Sequence, residues 1–587
     1  MAAAGIESLV GKVDNAIATG DISAFCNLFV TDGWYRDLLI TSWQFHTVSA
    51  ATLKGFLDRR RLPNIQNLRV DATQAVEDGS LPVQGREHLT SAFLVFTVPA
   101  LGTGRGYLRA VKSEDGALQI FTLFFALQTL SNHPEDVGPR RPLGTVHSSY
   151  EKRTNWLDRR AVQREFKDVE PAVLIVGAGH SGLMLAARLT MSGVPCLVVE
   201  KSERVGDSWR KRYSTLCTHV ASLADHFPGM PFPANWPIFV PKDKIANWYE
   251  IYTEAMELNV WTGCTILSGT TYDKSDFKWS VPVLQEDGTK RVLHPRHLVQ
   301  ATGYSGEPRV PVFEGIHAFK GKVMHSSKFY DGAPWAGKKA VVIGSCNSGH
   351  DIAQNLYESG AAEVTMVQRS STLVYSAAAV NAYYTKPLYA ENGPHHEDAD
   401  IVTLGTPIPL LEKIWAGNVP DIENMDAEIH KGLTEAGFNL NKHPKGLYYL
   451  YYTRGGGYYI DTGCSRLIAE KKIKIKQGVE ISRFLSDSVQ FQDGTTLTAD
   501  VVILATGWDA MNTTCEKVFG SEIASKTGKV WGIDQGGELG GMWRSSGHPG
   551  FWFMGGSFML ARIYSRYLAL QIMATEDGVM PRGGVFE

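Results

Sequence analysis

Between Ala172 and Glu200 the chain reads AVLIVGAGHSGLMLAARLTMSGVPCLVVE, an order of residue types that few folds accept. Val173 to Val176 is a strand-like apolar run, and Gly177, Gly179 and Gly182 follow it at the spacing G-x-G-x-x-G. A helix-like run comes next, then a second apolar run that ends on the acid Glu200. Gly177 permits a tight turn, Gly179 lets the backbone approach a pyrophosphate, and Gly182 lets the helix pack against the strand. The helix N-terminus turns free N–H groups and a positive dipole end toward the phosphates. Glu200 stands where an acid accepts hydrogen bonds from ribose hydroxyls. The stretch predicts a βαβ dinucleotide-binding unit.

The pattern returns. Ala340 to Ile343 is an apolar run, Gly344-Ser-Cys346-Asn347-Ser348-Gly349 opens a helix, and the strand Glu363 to Gln368 ends on Arg369. Cys346 replaces the middle glycine, which holds the backbone slightly further from a pyrophosphate. A cation at the second strand end suits the 2′-phosphate of NADP, as an acid suits an unmodified ribose. One acidic and one basic unit in the same chain imply FAD on the first and NADPH on the second, with NADH left open as an alternative donor.

A chain of 587 residues is too long for one core, and two to four domains are expected. With 44% hydrophobic residues, 20% charged residues and a formal charge of −3, nothing points to a nucleic-acid surface. The basic runs Arg59 to Arg61 and Lys471 to Lys476 read as solvated faces. No apolar run reaches the ~18 residues that a spanning helix needs. Phe121 to Leu130 reads as a buried strand. The start MAAAGIESLV lacks a secretory pattern, and PRGGVFE at 581–587 carries no prenylation or peroxisomal address. Seven scattered cysteines contain no C-x-x-C pair, which argues against a disulfide framework, a zinc site or a redox dithiol. A reducing, cytoplasmic setting is expected.

Residues 1–150 differ from the rest, with helical spacing at Ile6 to Ala18 and Asp21 to Phe29. Alternating runs follow around Leu38 to Val48 and Phe93 to Val98, and a hairpin is expected at Ser113 to Gly116. This predicts a small α+β domain. Phe29 to Asp37 with Thr41-Ser-Trp43 resembles the cone-shaped fold of the NTF2-like superfamily. That resemblance makes Asp37 and His46 conceivable acid–base residues, set against a structural or partner-binding role for the whole domain. Residues 151–169 are polar and read as a linker, continuing the proline-bearing stretch after Asn132. The remaining boundaries are expected at 170–330 and 486–587 for the two parts of an FAD domain, and at 331–485 for an NADP domain with a helical insertion. Arg454 to Gly463 reads as a loop that opens a helix. The fold class is therefore α/β, with two Rossmann-like domains preceded by a small α+β domain.

Four motifs in this order resemble the flavin-containing monooxygenases, or class B flavoprotein monooxygenases. They are the glycine triad at Gly177, the Phe-x-Gly-x-x-x-His-x-x-x-Phe run from Phe319 to Phe329, the second motif at Gly344, and Ala505-Thr-Gly507. The resemblance covers residues 170–575. It implies that NADPH reduces FAD, that O2 adds to give a C4a-hydroperoxyflavin, and that the protein shields this intermediate from water until a substrate arrives. For the first cofactor it implies contacts from Gly177, Gly179, Ser181, Gly182, Glu200, Lys201, Asp207, Ser208, Trp209, Thr302 and Tyr304. For the second it implies Gly344, Cys346, Asn347, Ser348, Gly349, Arg369 and Ser370, with His325 and Gly507 at the domain junction. Trp209, His219 and Asp225 are candidates for the flavin-side wall, and His219, Asp225 and Asn347 for a catalytic part.

The family's flavin-facing asparagine has no counterpart in Leu216 to His219. Phe329 stands where Baeyer–Villiger members commonly have tryptophan, which disfavours that subgroup. The implied reaction is oxygen transfer to a soft nitrogen or sulfur of a small lipophilic substrate. Baeyer–Villiger oxidation of a ketone is the alternative, and a non-oxygenating flavin oxidoreductase the second alternative. A homodimer is one of the assemblies the sequence leaves open.

Overall fold

The computed structural model describes residues 2–114, 116–144, 153–386 and 388–582. The expected turn at Ser113 to Gly116 includes Asp115, which lies outside the described residues, as do part of the linker and 583–587 of the C-terminal stretch. The strands on either side of that turn, Gly102–Lys112 and Leu118–Leu130, do pair antiparallel, starting with Lys112 opposite Leu118.

The N-terminal region places the helices Ala2–Thr19, Ile22–Asn27 and Ala50–Arg60 against a seven-stranded sheet. The Asp21 carboxylate caps the second helix by accepting from the Ala24 N–H. Strand Phe29–Leu38 lies parallel to Leu118–Leu130, and the other pairings in this sheet are antiparallel. Phe121 to Leu130 is buried as expected, because the run forms a central strand covered on both faces.

The stretch read as a linker is better anchored than its polarity suggested. Trp156–Glu165 is a helix capped by the Asn155 side chain. Its Arg160 is buried and donates to the Glu257 carbonyl at 2.5 Å and to Asn259 Oδ1 at 3.1 Å.

Two five-stranded parallel sheets follow. The first runs in the order Val260–Trp261, Cys196–Val199, Val173–Val176, His297–Gln300, Phe551–Phe553. Helices His180–Met191 and Phe558–Glu576 pack together over it. The second runs Lys322–His325, Val501–Leu504, Lys339–Ile343, Glu363–Gln368, Lys474–Gln477. Strands 322–325 and 501–504 therefore sit in the second sheet, although the expected boundaries at 330 and 486 assigned them to the FAD domain. Parallel pairing joins segments far apart in sequence, so neighbourhood along the chain does not reveal the sheet to which such a strand belongs. Residues 454–463 likewise contain a strand, Tyr458–Asp461, parallel to Leu373–Ser376, before helix Cys464–Ala469.

The insertion after Ser376 is helical and carries the N-terminal domain. Arg36 donates to the Leu404 carbonyl at 2.6 Å, Arg109 to the Gly405 carbonyl at 3.0 Å, and Arg105 pairs with Asp398 at 2.6 Å. Leu404 and Gly405 end the helix His396–Leu404, where carbonyls lack helical partners and favour a cation. Arg36 also forms a two-point ion pair with Glu538, at 2.7 and 2.6 Å, with both side chains almost wholly buried.

Candidate functional site

The two glycine motifs adopt the same backbone solution. Gly177 has φ +113° and Gly344 φ +120°, values that side chains rarely tolerate. A Cβ on Gly182 would strike the Gly177 carbonyl, and one on Gly349 would strike the Gly344 carbonyl, so helix and strand close to a distance that only glycine permits. A Cβ added at Gly179 would meet nothing within 4 Å. Open space thus lies beside the turn from which helix His180–Met191 starts. Cys346 holds the equivalent position with the same extended backbone, its side chain half-buried.

Glu200 follows strand Cys196–Val199, and its two carboxylate oxygens accept from the backbone N–H groups of Ala178 and Ser202, each at 2.8 Å. Each oxygen keeps a further acceptor position for a ribose hydroxyl. At the matching point of the second unit, Arg369 and Ser370 are exposed, and Arg369 has no ion pair among the described residues. Ser181 is buried inside the first helix, whereas Lys201 and Ser208 are exposed. Asp207 is buried beside Lys211 (2.9 Å) and Arg210 (2.5 Å). Burial raises its pKa, but hydrogen bonds from those two cations outweigh that and hold it below the ordinary value.

Trp209 begins a partly buried polar chain set in an aromatic wall. Its indole N–H donates to the Tyr249 hydroxyl at 2.9 Å, and that hydroxyl lies 3.3 Å from His180 Nδ1. His180 Nε2 lies 2.9 Å from the Gly556 carbonyl, which can only accept, so this nitrogen carries the proton and Nδ1 accepts from Tyr249. Burial pushes the His180 pKa down to about 4, which keeps the ring neutral. Phe558 stacks on Trp209 at 5.7 Å. Sequence reasoning missed His180 and Tyr249. His180 lay inside the motif, where only its position could have flagged it, and Tyr249 had no local signal.

His219 and Asp225 have different partners. His219 Nε2 is 3.0 Å from Asp351, which also accepts from the Tyr213 hydroxyl at 2.6 Å. Asp351 lies on Asn347–Glu358, the helix of the second motif, so His219 ties the loop after Trp209 to that helix. Asp225 is buried near Arg562, and burial raises its pKa to about 7 against the lowering effect of that cation. Arg562 itself is committed to Asp400, at 2.6 and 2.9 Å.

Asn347 accepts from the Ile460 N–H at 2.9 Å, and Ser348 beside it is half-buried. His325 closes strand Lys322–His325, with Nε2 3.1 Å from the Gly507 carbonyl and its ring edge-on to Trp508. Thr302 accepts from Gln300 Nε2 at 3.1 Å, and Tyr304 stacks on Trp531 at 5.0 Å. In the N-terminal domain Asp37 and His46 are opposite each other in register, yet they have separate partners. Asp37 accepts from the Tyr35 and Thr41 hydroxyls, while His46 contacts Ser42 Oγ at 2.7 Å.

Comparison with known proteins accords with this geometry. Residues 174–392 match the pyridine nucleotide-disulphide oxidoreductase family. The seven cysteines include no C-x-x-C pair. The chain is 32% identical over 354 residues to indole-3-pyruvate monooxygenase YUCCA1 of Oryza sativa subsp. japonica, a match covering 60% of this chain and 80% of that protein. The chain belongs to the flavin-containing monooxygenase family. It is an FAD- and NADPH-dependent monooxygenase. It is also 30% identical to probable indole-3-pyruvate monooxygenase YUCCA3 of Arabidopsis thaliana, over 57% of this chain and 72% of that one. Among solved structures, oxidised steroid monooxygenase bound to NADP shares the fold with a TM-score of 0.50 at 19% identity, over 69% of this chain and 85% of that one. Open cyclohexanone monooxygenase gives 0.50 at 16% identity, over 69% and 88%. No helix among the described residues is long and apolar enough to cross a membrane.

Proposed function

We propose that the first cradle holds FAD, the second holds NADPH, and the wall between them receives a small lipophilic substrate with a soft nitrogen or sulfur. The observation that carries this reading is the pairing of two glycine cradles of one geometry with strand ends of opposite charge, Glu200 and Arg369. When bound, FAD supplies the redox chemistry, taking a hydride from NADPH and reacting with O2 once reduced.

The chain's residues bind, orient and exclude water. Gly179 leaves room for the FAD pyrophosphate, and Glu200 accepts from its ribose. Arg369 and Ser370 face the NADPH 2′-phosphate, while Asn347 and Ser348 stand at the N-terminus of the helix that meets its pyrophosphate. The His219–Asp351–Tyr213 contacts fix the spacing between the two cradles. The Trp209–Tyr249–His180 chain is neutral and so adds no charge of its own to the wall.

A second reading, oxygenation beside a carbonyl, draws support from the sequence relatives, which are named for indole-3-pyruvate. Incubating the FAD-loaded protein with NADPH, isotopically labelled O2 and either methyl phenyl sulfide, cyclohexanone or indole-3-pyruvate separates the readings. One labelled oxygen in the sulfoxide, at one NADPH consumed, is the expected result. Label in the carbonyl-derived product alone selects the second reading, and NADPH oxidation with no labelled product from any of the three refutes both.

The paired strands and three helices of the N-terminal region support an NTF2-like domain with a structural role, since Asp37 and His46 are each bonded to local partners. The seven free cysteines support a reducing, cytoplasmic setting.

A further inference from the structure

A cavity of about 740 Å³ opens at the end of the first parallel sheet remote from the glycine motif. His297 and Phe551, the first residues of their strands, line it, whereas Gly177 and Thr302 follow the last residues of theirs. A strand of four residues puts roughly 13 Å between the two ends. The volume is in the range of small-molecule sites, roughly 300–1,000 Å³. The loop Lys526 to Gly550 forms much of the wall, with Gln44 of the N-terminal domain and Met580 to Arg582 closing it.

The charge of this wall is unbalanced. Arg296 and Arg582 both pair with the one carboxylate of Glu576, so one positive charge there is uncompensated. His297 also contacts Glu576, but burial lowers its pKa and favours the neutral ring. Arg544 is balanced by Asp534, and Lys526 by Glu522. Lys529 is exposed and has no carboxylate partner among the described residues. Asp534 is the only acid among the described lining residues. Tyr272, Trp552 and Met580 supply an apolar part of the lining.

We propose that this cavity is a second ligand site, separate from the cofactor cleft, for a small aromatic molecule that carries a phosphate or carboxylate. The positive charge left on Arg296 and Arg582, with that of Lys529 on the same wall, attracts the anionic group, and the apolar lining takes the ring.

The test is fluorescence titration of the FAD-loaded full chain, with NADP+ saturating, using 1-naphthyl phosphate, 1-naphthoate and uncharged 1-naphthol as probes. Saturable binding of one anionic probe per chain is expected, with 1-naphthol binding far more weakly, and the tighter of the two anions identifies the preferred head group. Lys529→Glu should weaken the anion by about tenfold, since it reverses a charge on the cavity wall. That substitution removes no ion pair, so retained flavin absorbance and an unchanged unfolding midpoint are expected with it. Lys431→Glu, an equal charge change on a helix of the insertion, should leave the affinity within about twofold. Absence of saturable anion binding overturns the proposal. So do equal affinities for 1-naphthol and the anions, or equal losses in the Lys529 and Lys431 variants.

Discussion

Arg369 offers the sharpest test of which cradle holds which cofactor. It follows strand Glu363–Gln368, is exposed, and has no carboxylate partner among the described residues. A hydrogen bond to a charged group contributes about 1.5–3 kcal/mol. Exposure and salt screening at a surface strand end reduce that to about 1–2 kcal/mol, roughly a 5–30-fold effect. Arg369→Ser should therefore raise KM for NADPH by about 5–30-fold and leave KM for NADH within about twofold. The contact lies far from the transferring hydride and is equally strong in ground and transition states, so kcat at saturating NADPH should hardly change. Steady-state oxidation of both nucleotides over a range of salt concentrations reads all three quantities, and the NADPH-specific penalty should shrink as salt rises. Equal KM increases for the two nucleotides, or a fall in kcat with both KM values intact, would refute the assignment of Arg369 to the 2′-phosphate.

Gly182→Ala should strip FAD from the purified protein, because the new methyl group runs into the Gly177 carbonyl; the ratio of flavin to protein absorbance checks it. Arg36→Met strands Glu538 in a buried site and should cost about 3–5 kcal/mol in chemical unfolding, whereas Arg36→Met with Glu538→Met should recover most of that. Asp225 has a folded pKa of about 7, above its unfolded value, so the folded state holds the extra proton and stability falls as pH rises from about 4 to 7. Asp225→Asn should flatten that part of the stability–pH profile, and an unchanged slope would show that Asp225 is ionised when folded.

The fold was legible wherever a local pattern has a local cause. Gly177 and Gly344 were readable because a turn under a pyrophosphate needs positive φ. Glu200 and Arg369 were readable because a strand end fixes where the next side chain goes. Of the alternating runs in the N-terminal region, Phe93 to Val98 lies within strand Leu89–Val98, whereas Leu38 to Val48 spans the end of one strand, a bend and most of the next. The membership of strands 322–325 and 501–504 in the second sheet was not legible, nor was the order in which the strands pair.

The sequence by itself therefore determined two glycine turns of one backbone geometry and the sign of the charge at the strand end after each, since each follows from the spacing of residues within about thirty positions. Only the tertiary structure decided that His219 turns to Asp351 rather than to Asp225, and that His180 is held neutral between Tyr249 and Gly556. It alone fixed the N-terminal domain to the insertion through Arg36, Arg105 and Arg109. These are contacts between side chains and backbone groups separated by tens to hundreds of residues. They exist because burial leaves polar groups no water to bond, so each must find whatever partner the packing brings to it.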